Sequence, residues 1–211
     1  MSAGAAVLGA GNCFTWNKLL IATHNAGKLD EMRALFAPRG IEVVGAADMG
    51  LSEPAETEDS FLGNARIKAQ AAMAATGLPV LADDSGITVD GLGGAPGVYT
   101  ADWAETPNGR DFMQAMTRTW AELEAASVPE PRTAQFRCTL VLLQPDGTER
   151  VFEGLATGHL VWPPRGALGH GYDPIFVPDA GDGRTFAEMS AEEKNAISHR
   201  ADAFRKLVAA L

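Results

Sequence analysis

The chain has 211 residues, 46% hydrophobic and 21% charged, with a formal net charge of −10. That length is ample for a core without staples, and the acidic balance argues against a nucleic-acid-coating surface, although a polyanionic ligand needs only a local basic pocket or a bound cation. Cys13 and Cys138 stand far apart, with no Cys-x-x-Cys and no metal spacing, which points to a reducing compartment.

Residues 1–11 are small and mildly apolar, without a basic leader region and too short to span a bilayer. Residues 1–17 therefore read as a disordered tail and not a signal, and 18–211 as the folded part. Leu19-Leu20-Ile21-Ala22-Thr23 is a continuous apolar run, the mark of a buried strand. A helical face follows at Leu29, Met32, Leu35 and Phe36, stopped by Pro38 and Gly40, and Ile41-Glu42-Val43-Val44 is the next strand. This strand-helix-strand unit favours an α/β fold. At its first join, Thr23-His24-Asn25-Ala26-Gly27-Lys28, free backbone N–H groups and a positive helix end suit phosphate. Lys28 opposes the helix dipole unless an anion sits nearby. The P-loop pattern is absent, and a solvated lysine after a turn is the plain alternative.

An acidic stretch, 53–59, precedes a helix capped by Asp59 or Ser60, carrying Phe61, Ala65, Lys68, Ala69, Ala72 and Met73 and closed by Gly77. Asn64 and Lys68, four apart, share a face. Val80-Leu81-Ala82 reads as a buried strand end, then come Asp83, Asp84, Ser85 and Gly86, and a second β-rich run, Ile87-Thr88-Val89. If the strand continues through them, Asp83 and Asp84 point to opposite faces, one for a site and one for backbone or solvent. Taken alone, such a stretch reads as a polar strand end and a turn. Gly91, Gly93, Gly94 and Gly97 supply a bending loop.

Thr106-Pro107 reads as a cap and first-turn proline for a helix whose core face is Phe112, Met116, Trp120 and Leu123. Pro129 and Pro131 mark a surface connection. Residues 134–143 and 150–157 flank the turn Pro145-Asp146-Gly147 and read as a long hairpin, suited to a second lobe. The loop 166–173 holds His170, Tyr172 and Asp173. Its rings can stack on a base or equally pack a turn, and strand resumes at 174–177. Ser190-Ala191-Glu192-Glu193 is a capping box. Lys194 follows, then an apolar stripe of Ile197, Ala201, Phe204, Val208 and Leu211, with Ser198 able to cap a fresh helix before His199 and Arg200. One bent helix and two short ones are both open.

The segments 23–28, 60–65, 81–99, 169–174 and 190–200, in this order and spacing, closely resemble the inosine/xanthosine triphosphate pyrophosphatase family over roughly residues 18–211. The resemblance implies an elongated mixed β-sheet with flanking helices, an α/β fold of two lobes around a central cleft, and a cytoplasmic homodimer. It implies Mg²⁺-dependent cleavage of the α–β phosphate bond of deaminated purine triphosphates (ITP, dITP, XTP), with no nucleic acid or membrane partner. Carried over by position, Thr23, Asn25, Ala26, Gly27 and Lys28 hold the phosphates. Lys68 and Lys194 are the basic residues near them. Asp84 is general base and metal ligand, Glu56 a second metal acid, and Ser85 a substrate contact. His170, Gly171, Tyr172, Asp173, His199 and Arg200 form the nucleoside pocket. Two departures stand out: His170 where the family commonly has Phe, and Gly63 where it often has Glu. They keep two rivals in view, a related pyrophosphatase preferring modified or pyrimidine bases and a nucleotide-binding regulator without turnover.

Overall fold

In a computed structural model of the chain, residues 16–24 and 26–210 are described. The apolar run near the start forms β1 (Lys18–Ile21), α1 follows (Ala26–Phe36), and Gly40 turns the chain into β2 (Glu42–Gly45). Next come α2 (Phe61–Thr76) and β3 (Val80–Val89). A two-stranded ribbon of β4 (Glu105–Thr106) and β5 (Gly109–Arg110) leads into α3 (Phe112–Ala125). The hairpin is β6 (Arg132–Leu143) and β7 (Glu149–Leu160), followed by β8 (Phe176–Pro178), α4 (Ala191–Ile197) and α5 (His199–Ala209).

The main sheet has six strands in the order β2-β1-β3-β6-β7-β8. β1 is parallel to β2 and β3, because helices α1 and α2 carry the chain across. The remaining neighbours are antiparallel: β6 and β7 form a hairpin, while β3 with β6 and β7 with β8 are joined by longer connections. The long strands β3, β6 and β7 bridge separate hydrophobic clusters. Toward one end, Ile87, Phe136, Tyr172, Phe176 and Phe186 pack together. Toward the other, Leu81, Leu140 and Phe152 face α1 and α5, while Ala82 and Val141 face the alanines of α2. The hairpin thus extends the same sheet that begins with the β1-α1-β2 unit.

Several expectations need correction. The segment 80–89 is one unbroken strand through both aspartates. Thr106 and Pro107 do not start α3. They turn the β4–β5 ribbon, where the Thr106 hydroxyl donates to Gly109 O (2.6 Å), and Asp111 caps α3 by accepting from Met113 and Gln114 N–H. At the end of the chain Ser198 caps a fresh helix, so α4 and α5 are separate. The α5 stripe is rotated from the expected one: His199, Ala203 and Leu207 are buried, while Ala201, Phe204 and Val208 are only half-buried. β8 begins at Phe176, after a short helical turn at Asp173–Ile175. Of the expected tail, residues 1–15 lie outside the described residues. Trp16 donates its indole N–H to the Gln144 side chain (3.1 Å), and Asn17 O accepts from Glu42 N–H (2.8 Å).

Two local features of the sheet shape the space above β3 and β7. β1 pairs with β3 only at Val80 and Leu81, so from Ala82 onward β1 no longer covers that edge of β3. At Gly154 of β7, a Cβ would collide with His199 O and Ala203 N, so glycine lets the start of α5 lie directly on the sheet.

Candidate active site

Where β1 ends, β3 runs on as Ala82-Asp83-Asp84-Ser85 and forms the floor of two adjoining chambers. The first, about 600 Å³, is lined by Thr23, Lys28, Glu56, Lys68, Asp83 and Asp84, among others. The second, about 420 Å³, is lined by Phe112, Phe136, His170, Lys194, His199 and Arg200, among others. Ser85 and Ala101 line both, so the chambers meet there.

Strand alternation sends the two aspartates to opposite faces, and each meets a different lysine. Asp83 accepts from Lys28 Nζ (2.6 Å), with 14% of its side chain exposed. Burial opposes its charge, yet Lys28 and then Arg200 hold its pKa below the ordinary carboxylate value. Neither aspartate is left to backbone or solvent alone, since Asp83 holds Lys28. Asp84 faces α2. Its Oδ1 accepts from Ser85 N–H (2.9 Å) and lies 3.6 Å from Lys68 Nζ, while its buried Oδ2 has no hydrogen-bond partner.

Lys68 explains why Asp84 is only partly compensated. Its ammonium donates to Glu56 Oε1 at 2.9 Å, closer than its 3.6 Å approach to Asp84. Burial works against the lysine charge, but Asp84, Glu56 and Asp83 outweigh it and the Lys68 pKa is raised. Asp84 is 8% exposed. Burial raises its pKa to about 6, with Lys68 pulling it down and Glu56 pushing it up. A carboxyl poised there can take a proton near neutral pH.

Among the described residues no three His, Cys, Asp or Glu side chains form a ready-made metal cage. The donors do fit a hard cation that brings its own water and substrate oxygens. They are carboxylates, one with a buried unpartnered oxygen, now balanced by a lysine ammonium.

The second chamber is built on rings. His199 stacks on Phe136 (centroids 5.0 Å apart, planes 13°), and its Nδ1 is buried without a partner. Burial, then Arg200 and Lys194, drives the His199 pKa to about 3, so its imidazole is neutral. Partial desolvation and then Lys194 lower that of His170, whose side chain reaches the surface. Arg200 also has a buried, unpartnered Nε.

The sequence-predicted residues divide accordingly. Thr23, Lys28, Glu56, Lys68, Asp84 and Ser85 gather in the acidic chamber. Asn25 lies outside the described residues, as do the side chains of Ala26 and Gly27. Lys194 does not line the acidic chamber with Lys28 and Lys68. It lines the ring chamber, paired with Asp173, and sits 5.3 Å from the Phe186 ring centre. Asp173 is a loop clamp, since it also accepts from His170 N–H (2.8 Å) and is 2% exposed. Tyr172 is fully buried with its hydroxyl 3.2 Å from Thr119 Oγ1, so its ring belongs to the core beneath the chamber. Gly171 lies in the chamber wall.

Sequence reading missed the pocket roles of Phe112 and Phe136. Phe112 was assigned to core alone, yet it lines the ring chamber. The only advance signal for Phe136 is its place in a strand two positions from Cys138, on the same face.

Residues 19–210 match the Ham1 family. A dITP/XTP pyrophosphatase of Ruegeria pomeroyi is 68% identical over 195 residues, covering 92% of this chain and 95% of that protein. The structure of a HAM1 protein from Coxiella burnetii aligns with TM-score 0.86 at 35% identity, covering 92% of this chain and 97% of that one. A nucleoside-triphosphatase / dITP/XTP pyrophosphatase from Mycobacterium abscessus aligns with TM-score 0.76 at 41% identity, covering 90% and 98%.

Proposed function

This chain belongs to the Ham1 family, and on that premise we propose that it is a nucleoside triphosphate pyrophosphatase that cuts ITP, dITP and XTP to the monophosphate and pyrophosphate. The observation that carries the reading is the pair of chambers joined at Ser85 and Ala101: acids and lysines line one side, rings and an arginine the other. A nucleotide laid across that join has its phosphates among charges and its base among rings.

A triphosphate repels an incoming nucleophile, so neutralisation and positioning supply most of the catalysis. Lys28 and Lys68 offset charge on the phosphate oxygens. Glu56 and Asp84 would hold Mg²⁺, which supplies Lewis-acid neutralisation of the phosphates. Asp84 orients water for attack on the α-phosphorus and accepts its proton. A P–O bond forms there, the α–β anhydride bond breaks, and pyrophosphate leaves. The buried, unpartnered Oδ2 supports Asp84 in that role. In the ring chamber, Arg200 has only donors to offer, which suits the O6 and N7 acceptors of hypoxanthine or xanthine. Adenine carries an amino group at that edge and forfeits the match, worth about 1–3 kcal/mol. Guanine shares O6, so its rejection falls to other parts of the pocket.

The expected homodimer has support in Val151 and Leu155, exposed apolar residues on β7. A nucleotide substrate and the buried free thiol of Cys138 support a cytoplasmic setting. We read 18–211 as one two-lobed unit.

The test is a triphosphate panel with Mg²⁺ in ¹⁸O-labelled water. Monophosphate carrying the label, with unlabelled pyrophosphate, supports the reading. Diphosphate plus phosphate, or label in the pyrophosphate, refutes it.

A further inference from the structure

Gly63 sits in the first turn of α2, although glycine is a poor helix former beside alanine. Its backbone does not call for glycine. Its φ is outside the left-handed region, and its N–H donates to the Ser60 cap (3.1 Å) as any residue's would. The constraint is a neighbour. A Cβ at position 63 would stand 2.5 Å from Glu58 Cβ and 2.7 Å from Glu58 Cγ. The stem of Glu58 therefore lies across the start of α2, in space that only glycine leaves open.

Glu58 lines the acidic chamber together with Glu56, Asn64 and Asp84. Its backbone N–H donates to Asn64 Oδ1 (3.0 Å), and the Asn64 side chain in turn favours the charged form of Asp84. The loop bearing Glu56 and Glu58 is thus fastened to the helix that faces Asp84. No described hydrogen bond or ion pair uses the Glu58 carboxylate. Asp84, nine-tenths buried, has an unpartnered oxygen in the same chamber.

We propose that Glu58 is a third acid of the divalent-cation site, and that Gly63 is the residue that makes room for it. The inference rests on the pyrophosphatase reading, because it assigns a residue to that reaction's cation. A single lysine ammonium now stands between Glu56 and Asp84. A divalent cation on hard oxygen donors, with a third carboxylate reaching in from the loop, balances that acidic wall when the lysine turns to phosphate. A purely structural role for Glu58, favouring the positive end of α2, would show in stability and leave cation affinity alone.

The experiment is Mn²⁺ titration of the full chain, read by the EPR signal of free Mn²⁺, alone and with an α,β-methylene inosine triphosphate. Unfolding midpoints are measured alongside. Asp84→Asn and Glu56→Gln should lose the site. Glu58→Gln should weaken Mn²⁺ by about 10–100-fold. Gly63→Ala should weaken it similarly by displacing the Glu58 stem, and the double variant should be no worse than Glu58→Gln, because both changes take the same carboxylate from the cation. If Asp84→Asn loses Mn²⁺ while Glu58→Gln binds as tightly as the wild type, the role of Glu58 is refuted and the pyrophosphatase reading stands. Wild-type affinity in Gly63→Ala refutes the room-making role. A wild type that binds no better than Asp84→Asn overturns the cation site and this inference with it.

Discussion

Replacing Asp84 with asparagine is expected to make the protein more stable and nearly inactive. Burial is the main cause of the Asp84 pKa rising from the usual 3.8 to about 6, with Lys68 opposing and Glu56 reinforcing it. That gap corresponds to about 3 kcal/mol acting against the charged carboxylate in the folded state. Between the two values the folded protein binds more protons than the unfolded chain. Stability therefore falls as pH rises through that window and stays at the lower level above it. Asparagine keeps the shape, carries no charge, and can still accept the Ser85 N–H bond. With a chelator present, Asp84→Asn should exceed the wild type at about pH 8 by up to about 3 kcal/mol, and the margin should close toward about pH 4. Urea unfolding at both pH values measures it. The same variant should lose about 10²–10⁴-fold in kcat on inosine triphosphate through loss of the base. A variant less stable than the wild type at the higher pH, or a margin indifferent to pH, refutes the reasoning. Full activity removes Asp84 from the reaction.

His199, with its pKa driven to about 3, should show no imidazole titration by NMR between about pH 5 and 8, and a midpoint near the usual 6.5 would refute its burial. Its depressed pKa also means the unfolded chain takes up that proton first as pH falls below about 6.5, so stability declines from there toward about pH 3. Burial pushes the Cys138 thiol up to about 12. In a Cys13→Ser background it should resist a disulfide reagent at about pH 8 while folded and react at once in guanidinium; rapid native labelling would contradict the packing. Leu123, fully buried in the ring-end core, should cost about 2–5 kcal/mol when cut to alanine, and a loss under about 1 kcal/mol would mean the site collapses around the gap.

The fold was legible wherever a local pattern had one physical outcome. The apolar run at β1, the helical face of α1, the Ser60 cap and Gly77 stop of α2, and the Pro145-Asp146-Gly147 hairpin all sit where read. Failures came where tertiary contact overrode a local signal. Thr106-Pro107 offers a good helix start, but Asp111 offers a better one, and the intervening residues pair as a ribbon. The α5 stripe was misplaced because α5 lies on β7 through Gly154, which buries His199 and Ala203. No residue within α5 records that approach.

The site was legible as a set of residues and less so as an arrangement. Alternation along β3 already separates Asp83 from Asp84, and the spacing of Asn64 and Lys68 already aligns them on α2. What the sequence does not contain is that β1 stops pairing at Leu81, which opens the flank of β3 where the acidic chamber lies. Nor does it tell which acid each lysine meets. Lys28, Lys68 and Lys194 look alike in sequence as cations for phosphate, yet they pair with Asp83, Glu56 and Asp173 respectively. The first two partners line the acidic chamber and the third lines the ring chamber. A lysine's role therefore follows from the carboxylate that holds it before substrate arrives, and that choice is made by strand ends and helix docking far along the chain.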